Sequence, residues 1–252
     1  MCHQTSWCLF VSLIVAVPGA AAQTASTVPD VSSIVARMAS ARTQNRNRFR
    51  PYTVTREYSL FGKEKEQPKS QVIADVVFVP PGSKNYTIQQ ATGSSLGGSI
   101  IRRTLTYETE VAKSYALTDY SPENYDFQFL RQDVLGGHAC YVLELLPRRK
   151  DQYLVHGNLW VDAGTYLPRR FEGEPARNPS WWVRDMRISF VYSEVGGMWL
   201  PTALQASADL RWLGRYTMVS QDVRYKLNKA VVAVAASQAT NPHLAQIVSP
   251  RQ

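Results

Sequence analysis

The segment with the most direct chemical reading is Gly93-Ser94-Ser95-Leu96-Gly97. It fits G-x-S-x-G, where a serine on a sharp strand-to-helix turn is activated by a histidine that an acid orients. Asp162 and then His243 follow in hydrolase order. That turn works on a parallel sheet with helices between its strands, and a five-residue match arises readily by chance in a Gly/Ser-rich run. Ala91–Ser99 is small and polar throughout, so a hinge or plain loop is the competing reading. A serine hydrolase using Ser95 remains as an alternative.

Other chemistries find less support. Beyond residue 22 the histidines are His138, His156 and His243, none at helical spacing from another, and Cys140 is the single thiol. That is too sparse for a zinc site, so no metal is expected. No phosphate-cradling loop or dinucleotide fingerprint is present, so no cofactor is expected either. The chain has 28 Lys+Arg against 20 Asp+Glu, a formal charge of +8. Its aromatic residues are not interleaved with the basic ones as a nucleic-acid recognition motif requires. With 44% hydrophobic and 11% aromatic residues, the composition is globular and not that of a disordered chain.

The positions of these residues depend on what is exported. Leu9 to Val17 is a short apolar run, broken by Pro18-Gly19 and followed by Ala20-Ala21-Ala22. This is the layout of a secretory leader cleaved after Ala22, too short to span a bilayer. Cys2 and Cys8 fall within it, leaving Cys140 without an internal disulfide partner. The expected plan is a leader over 1–22, a linker over 23–29, one domain over 30–226 and a tail over 227–252, in a periplasmic monomer.

The elements follow from periodicity. Asp30 can cap a helix whose inward face is Val31, Ile34, Val35, Met38 and Ala41. Arg37, Arg42, Arg46, Arg48 and Arg50 follow without an intervening acid. They either complement the helix C-terminus or form a patch for anionic head groups. From Tyr52 the period becomes two: Tyr52, Val54, Tyr58 and Leu60 alternate with polar residues. Strands are expected over 71–79, 85–90, 125–129, 139–146, 153–161, 166–173, 186–192, 199–210 and 215–225. A helix, in which Ile100, Ile101, Thr104, Leu105, Tyr107, Glu108, Val111 and Ala112 fit a 3.6-residue period, interrupts them after the 91–99 loop. Only the connection 91–120 is long enough for a crossover between parallel strands. The expected fold is therefore α+β: one curved antiparallel sheet of about ten strands, forming an unclosed half-barrel. An N-terminal helix and a helical lid lie over its concave face. A sheet too wide to fill its own concave side needs helices or a ligand to cover it, and the aromatics recurring along the strands mark such an apolar cavity.

Gly157-Asn158-Leu159-Trp160-Val161-Asp162, continuing through Leu167-Pro168-Arg169-Arg170, resembles the outer-membrane lipoprotein-sorting superfamily of LolA- and LolB-type carriers. There a G-x-hydrophobic-W-V-D strand and an L-P-x-R strand form one hairpin. Ile188–Tyr192, Gly197-Met198-Trp199-Leu200-Pro201 and Cys140–Pro147 continue the likeness. The resemblance implies an unclosed barrel that shelters acyl chains of lipoproteins or phospholipids, without catalysis, and the net charge of +8 fits peripheral contact with anionic membrane. A sensor on the same scaffold, with an envelope membrane protein as partner, is the alternative. On this reading Ile101, Leu105, Tyr125, Phe127, Leu143, Trp160, Phe190 and Trp199 line the cavity. Gly93, Gly97 and Gly98 form the lid hinge, and Arg102 and Arg103 its mouth.

Overall fold

The computed structural model describes residues 30–63, 67–113 and 115–227. The expected leader and linker, residues 228–252 of the tail and His243 lie outside the described residues. The chain runs as α1 (Val31–Arg46), β1 (Tyr52–Phe61), β2 (Ser70–Val79), β3 (Ser83–Gly93) and α2 (Ser95–Ala112). A 3-10 turn at Tyr115–Leu117 precedes β4 (Tyr125–Leu135), β5 (His138–Pro147), β6 (Val155–Asp162) and β7 (Pro168–Pro175). The last strands are β8 (Val183–Val195), β9 (Met198–Leu210) and β10 (Gly214–Leu227).

All ten strands form one antiparallel sheet in the order β3-β2-β1-β10-β9-β8-β7-β6-β5-β4. The first strand pairs with the last, Tyr58 opposite Ser220, so the meander is closed in sequence everywhere except between β3 and β4. Those two edges are not hydrogen-bonded to each other, and the sheet is an open half-barrel as its periodicity predicts. The one long connection, through α2 and the 3-10 turn, carries the chain from one edge to the other. Short turns join most other strands. Gly136-Gly137 (φ +58° and +82°) and Gly196-Gly197 (φ +57° and +85°) are two-residue turns with both residues in the left-handed region. Their twist matches the strands they join.

Both helices lie on the same face and each covers half of the sheet. Ile34 and Met38 of α1 are buried with Leu143, Leu145, Leu159 and Phe171 of β5–β7. Ile101 and Leu105 of α2 are buried with Val54, Tyr58, Val72 and Val76 of β1 and β2. Side chains alternate across a strand, so Trp160, between Leu159 and Val161, joins a third cluster with Cys140 and Val142 on the opposite face.

Two local expectations are corrected. The 91–99 loop does not exist: β3 continues to Gly93, whose φ of +94° reverses the chain in one residue, and Ser94 caps α2 directly. The Gly97 amide donates to Ser94 Oγ at 3.2 Å, which satisfies one of the free donors of the first helical turn. Asp30 precedes α1 but makes no side-chain cap bond. Its carboxylate accepts from the Ser32 hydroxyl instead.

Candidate functional site

Between the two helix-covered cores lies a largely apolar cleft with a cavity of about 400 Å³. That is within the range of small-molecule sites, which runs from roughly 300 to 1,000 Å³. Tyr52 and Phe78 face it from the first core and Tyr125 and Phe190 from the second, with Trp199 and Leu204 of β9 between them. The aromatic walls are braced by one another: Phe49 meets Phe78 edge-on at 5.8 Å, and Tyr52 lies 5.1 Å from Phe78. Trp199 is held from both sides of its backbone by Asn45 of α1, through two hydrogen bonds of 2.8 Å. Its indole donates to the Pro168 carbonyl, and Arg169 stands 5.3 Å over the ring.

Charged groups close the cleft at the α2 side. Arg56 occupies an inward position of β1, between Val54 and Tyr58, and is 8% exposed. A bulge between Thr55 and Arg56 shifts the register so that Asp222 of β10 lies opposite it, and the Arg56 Nε donates to Asp222. Arg56 Nη1 also donates to Glu108 of α2 at 2.7 Å, Lys84 of β3 reaches the same carboxylate at 2.8 Å, and the Tyr58 hydroxyl donates to it at 3.2 Å. Burial alone would raise the pKa of Glu108, but Lys84 and Arg56 outweigh it and bring the value down to about 2. Burial also pushes the Tyr58, Tyr52 and Tyr225 hydroxyls up, so they remain neutral donors. The network ties α2 to three strands at once.

A second polar group closes the opposite side. Arg42 of α1 lies 3.0 Å from Asp119, a charge contact not aligned as a hydrogen bond, and donates to the Tyr120 carbonyl. Arg46 adds a weaker contact to Asp119 at 3.6 Å. The hydroxyls of Tyr120 and Tyr192 meet at 2.9 Å, and burial raises both pKa values, that of Tyr192 to about 12. Of the arginine run, therefore, Arg42 and Arg46 pin the segment after α2. Arg37 donates to the Tyr166 hydroxyl at 3.1 Å and Arg50 to the Gly196 carbonyl. Only Arg46 lies in the last turn of α1.

Three of the eight residues expected to line the cavity meet at the cleft: Tyr125, Phe190 and Trp199. Ile101 and Leu105 lie beneath α2 in the first core. Leu143 belongs to the second core and Phe127 packs against it. Trp160 is on the other face, where its indole donates to Asp133 at 3.0 Å. Gly93 ends β3 where a Cβ would lie only 2.1 Å from the Lys69 carbonyl oxygen, and Gly97 is buried against Ser70 in the first turn of α2. Gly98, also in that turn, faces open space. Arg102 and Arg103 are exposed on α2 and make no ion pair among the described residues. Ser95 is the first residue of α2, and the Asp162 carboxylate is committed to its own turn, accepting from Gly164 N, Thr165 N and Arg169 at 3.0, 2.7 and 2.5 Å. Neither Arg56 nor Glu108 is among the site residues expected from the sequence, where Glu108 stands only in the helical pattern. The signal that marks them is a charge of opposite sign on the inward row of two elements otherwise apolar there. Among the described residues no three His, Cys, Asp or Glu side chains gather as a metal site. None of the described helices is long and apolar enough to cross a membrane.

A family model described as "uncharacterized protein" matches residues 87–230, more than half of the chain. No curated protein matches. Among solved structures the chain is similar to a putative outer membrane lipoprotein-sorting protein domain from Vibrio parahaemolyticus. They share 16% identity over 76% of this chain and 91% of that one, with a TM-score of 0.46. It is similar to a DUF1329 family protein from Desulfovibrio piger at 14% identity, covering 80% and 95%, with a TM-score of 0.42. A LolA superfamily protein from Nitrosomonas europaea gives 16% identity, the same coverages and a TM-score of 0.37. With TM-scores below 0.5 these likenesses decide nothing further about this chain.

Proposed function

The chain belongs to the family whose model matches residues 87–230, and from the geometry of its cleft we propose that it is a non-enzymatic periplasmic carrier for acyl chains of lipids or lipoproteins. The observation that carries this reading is the cavity of about 400 Å³ left unfilled at the seam of the two cores, its walls mainly aromatic and aliphatic with the charged groups at its two sides. At roughly 30 Å³ for each small group, it has room for about a dozen methylenes. Each methylene sheltered from water is worth about 0.8 kcal/mol, so one such chain gains on the order of 10 kcal/mol from leaving water. The charged network on α2 and the Arg42–Asp119 contact stand where a cover over the chain would be fastened. The leader over residues 1–22 supports an exported address.

Native mass spectrometry of the protein recovered from its host envelope, with titration by a fluorescent fatty acid and by phospholipid, tests the reading. Bound lipid of one-chain stoichiometry is expected. Leu204→Trp places a large ring in the cleft and should abolish uptake while leaving the unfolding midpoint within a few degrees. Absence of lipid in both measurements refutes the carrier. Recovery of a membrane-anchored regulator in place of lipid would favour an interaction module.

A further inference from the structure

The most exposed large apolar side chains in the described residues are two tryptophans at one end of the sheet, Trp212 at 82% and Trp181 at 70%. They come from different connections, Trp181 from the segment between β7 and β8 and Trp212 from the turn between β9 and β10. Those connections are tied together: the Arg211 amide donates to the Trp182 carbonyl at 2.9 Å, and Val183 pairs with Leu210. The two indoles meet edge to face at 5.6 Å and 74°. Leu213, half exposed, extends the apolar tip. Trp212 has a φ of +67°, in a region that bulky side chains seldom occupy. Exposed apolar side chains gathered on strained backbone mark a candidate binding feature.

Its charge is one-sided. Residues 174–187 and 209–215 carry Arg177, Arg184, Arg187, Arg211 and Arg215 against Glu174, Asp185 and Asp209, an excess of two positive charges. Arg187 and Arg215 have acid partners, Glu174 at 3.4 Å and Asp209 at 3.6 Å. Arg184 and Arg211 make no ion pair among the described residues, whereas Arg177 acts on Asp151. Arg211 stands 5.7 Å over the Trp181 ring. Tryptophan favours the head-group layer of a bilayer, where an apolar ring and a polar N–H are both satisfied. Arginines beside it are attracted by anionic lipid. A second copy of the chain would bring like charges together, and a sugar needs an open ring face, which Arg211 and the edge-on partner obstruct at Trp181. We propose that the Trp181–Trp212 tip is a docking site for anionic lipid bilayers, with the indoles at head-group depth and Arg184 and Arg211 against lipid phosphates. The inference rests on this surface alone and not on the contents of the cleft.

Flotation of the exported protein with vesicles tests it. Phosphatidylglycerol–phosphatidylethanolamine vesicles are compared with phosphatidylcholine alone. Partition onto the anionic vesicles should be at least about tenfold stronger, and about 1 kcal/mol per arginine predicts a loss near fivefold for Arg211→Ser. Trp181→Ala/Trp212→Ala should reduce binding about tenfold or more and remove the blue shift of tryptophan emission on binding, with an unchanged unfolding midpoint. Equal binding by wild type and the double variant overturns the proposal. So does equal binding to neutral and anionic vesicles, a concentration-dependent dimer that the double variant loses, or retention on cell-wall glycan with none on vesicles. Docking that persists in a protein that takes up no lipid would refute the carrier reading and leave this one standing.

Discussion

Replacing Glu108 by Gln removes one charge from the network that fastens α2 to the sheet while keeping the side chain's size. The carboxylate accepts from Arg56, Lys84 and Tyr58, and the cations hold its pKa down to about 2, well below the ordinary carboxylate range. Removing one partner of a buried pair costs about 3–5 kcal/mol, because the remaining cations stay buried. For a domain this large, 1 kcal/mol moves the midpoint by about 2–4 °C, so Glu108→Gln should melt at least about 6 °C lower. The pH dependence gives a sharper check. Because the folded pKa is depressed, the stabilisation is whole above about pH 4.5 and is lost as pH falls through about 2. The gap between wild type and variant should therefore shrink from pH 5 to pH 2, although both proteins lose stability to other carboxylates. Denaturant titrations at pH 7, 4.5, 3.5 and 2.5 measure it, with Glu110→Gln as control. Glu110 meets Lys113 at 2.8 Å on the exposed side of α2 and should cost under 1 kcal/mol. A Glu108→Gln loss no larger than that of the control, or a gap that stays constant down to pH 2.5, refutes the reasoning.

The two adjacent glycines of α2 should respond in opposite directions. A Cβ on Gly98 meets nothing within 4 Å, so Gly98→Ala should stabilise by up to about 1 kcal/mol through helix propensity alone. A Cβ on Gly97 would lie 2.1 Å from Ser70 Oγ and 2.6 Å from its Cβ, so Gly97→Ala should lower the midpoint. If both variants shift the same way, the packing of the α2 N-terminus is not as described. Asp162→Ala should cost on the order of 2–3 kcal/mol, since it strips Gly164 N, Thr165 N and Arg169 of their shared acceptor. Guanidinium denaturation of Asp162→Ala against wild type reads this, and a loss below 0.5 kcal/mol would show that the turn is held by other contacts.

The fold was legible because its signals are local. Alternation in Tyr52–Leu60 and Met186–Tyr192 marks strands, and paired glycines at 136–137 and 196–197 mark the turns. Ile34, Val35 and Met38 mark the buried side of α1. The site was legible only in part. Tyr125, Phe190 and Trp199 reach the cleft, but Leu143 and Trp160, equally apolar and equally placed in strands, do not. Trp160 differs from Leu159 by one position, which puts it on the other face, and a one-residue change in register exchanges every inward and outward side chain. The 91–99 segment misled for a related reason. Glycine and serine favour a loop locally, yet Gly93 needs only a positive φ and Ser94 only a free amide to turn at once into α2.

The sequence by itself determined that the chain forms an open antiparallel sheet with two helices. Those elements depend on residues a few positions apart, and short connections make sequential strands antiparallel, whereas the pairing of β1 with β10 came only with the tertiary structure. Only the tertiary structure decided where the space lies. The cleft is set by how far α1 and α2 stand apart on one face, and that distance depends on side chains remote in sequence, such as Ile34 on Leu159 and Leu105 on Val72. It also decided that Arg56 and Glu108 share a site. Fifty-two positions separate them, and only packing of a helix on a sheet brings an inward charge of each sign within reach of the other.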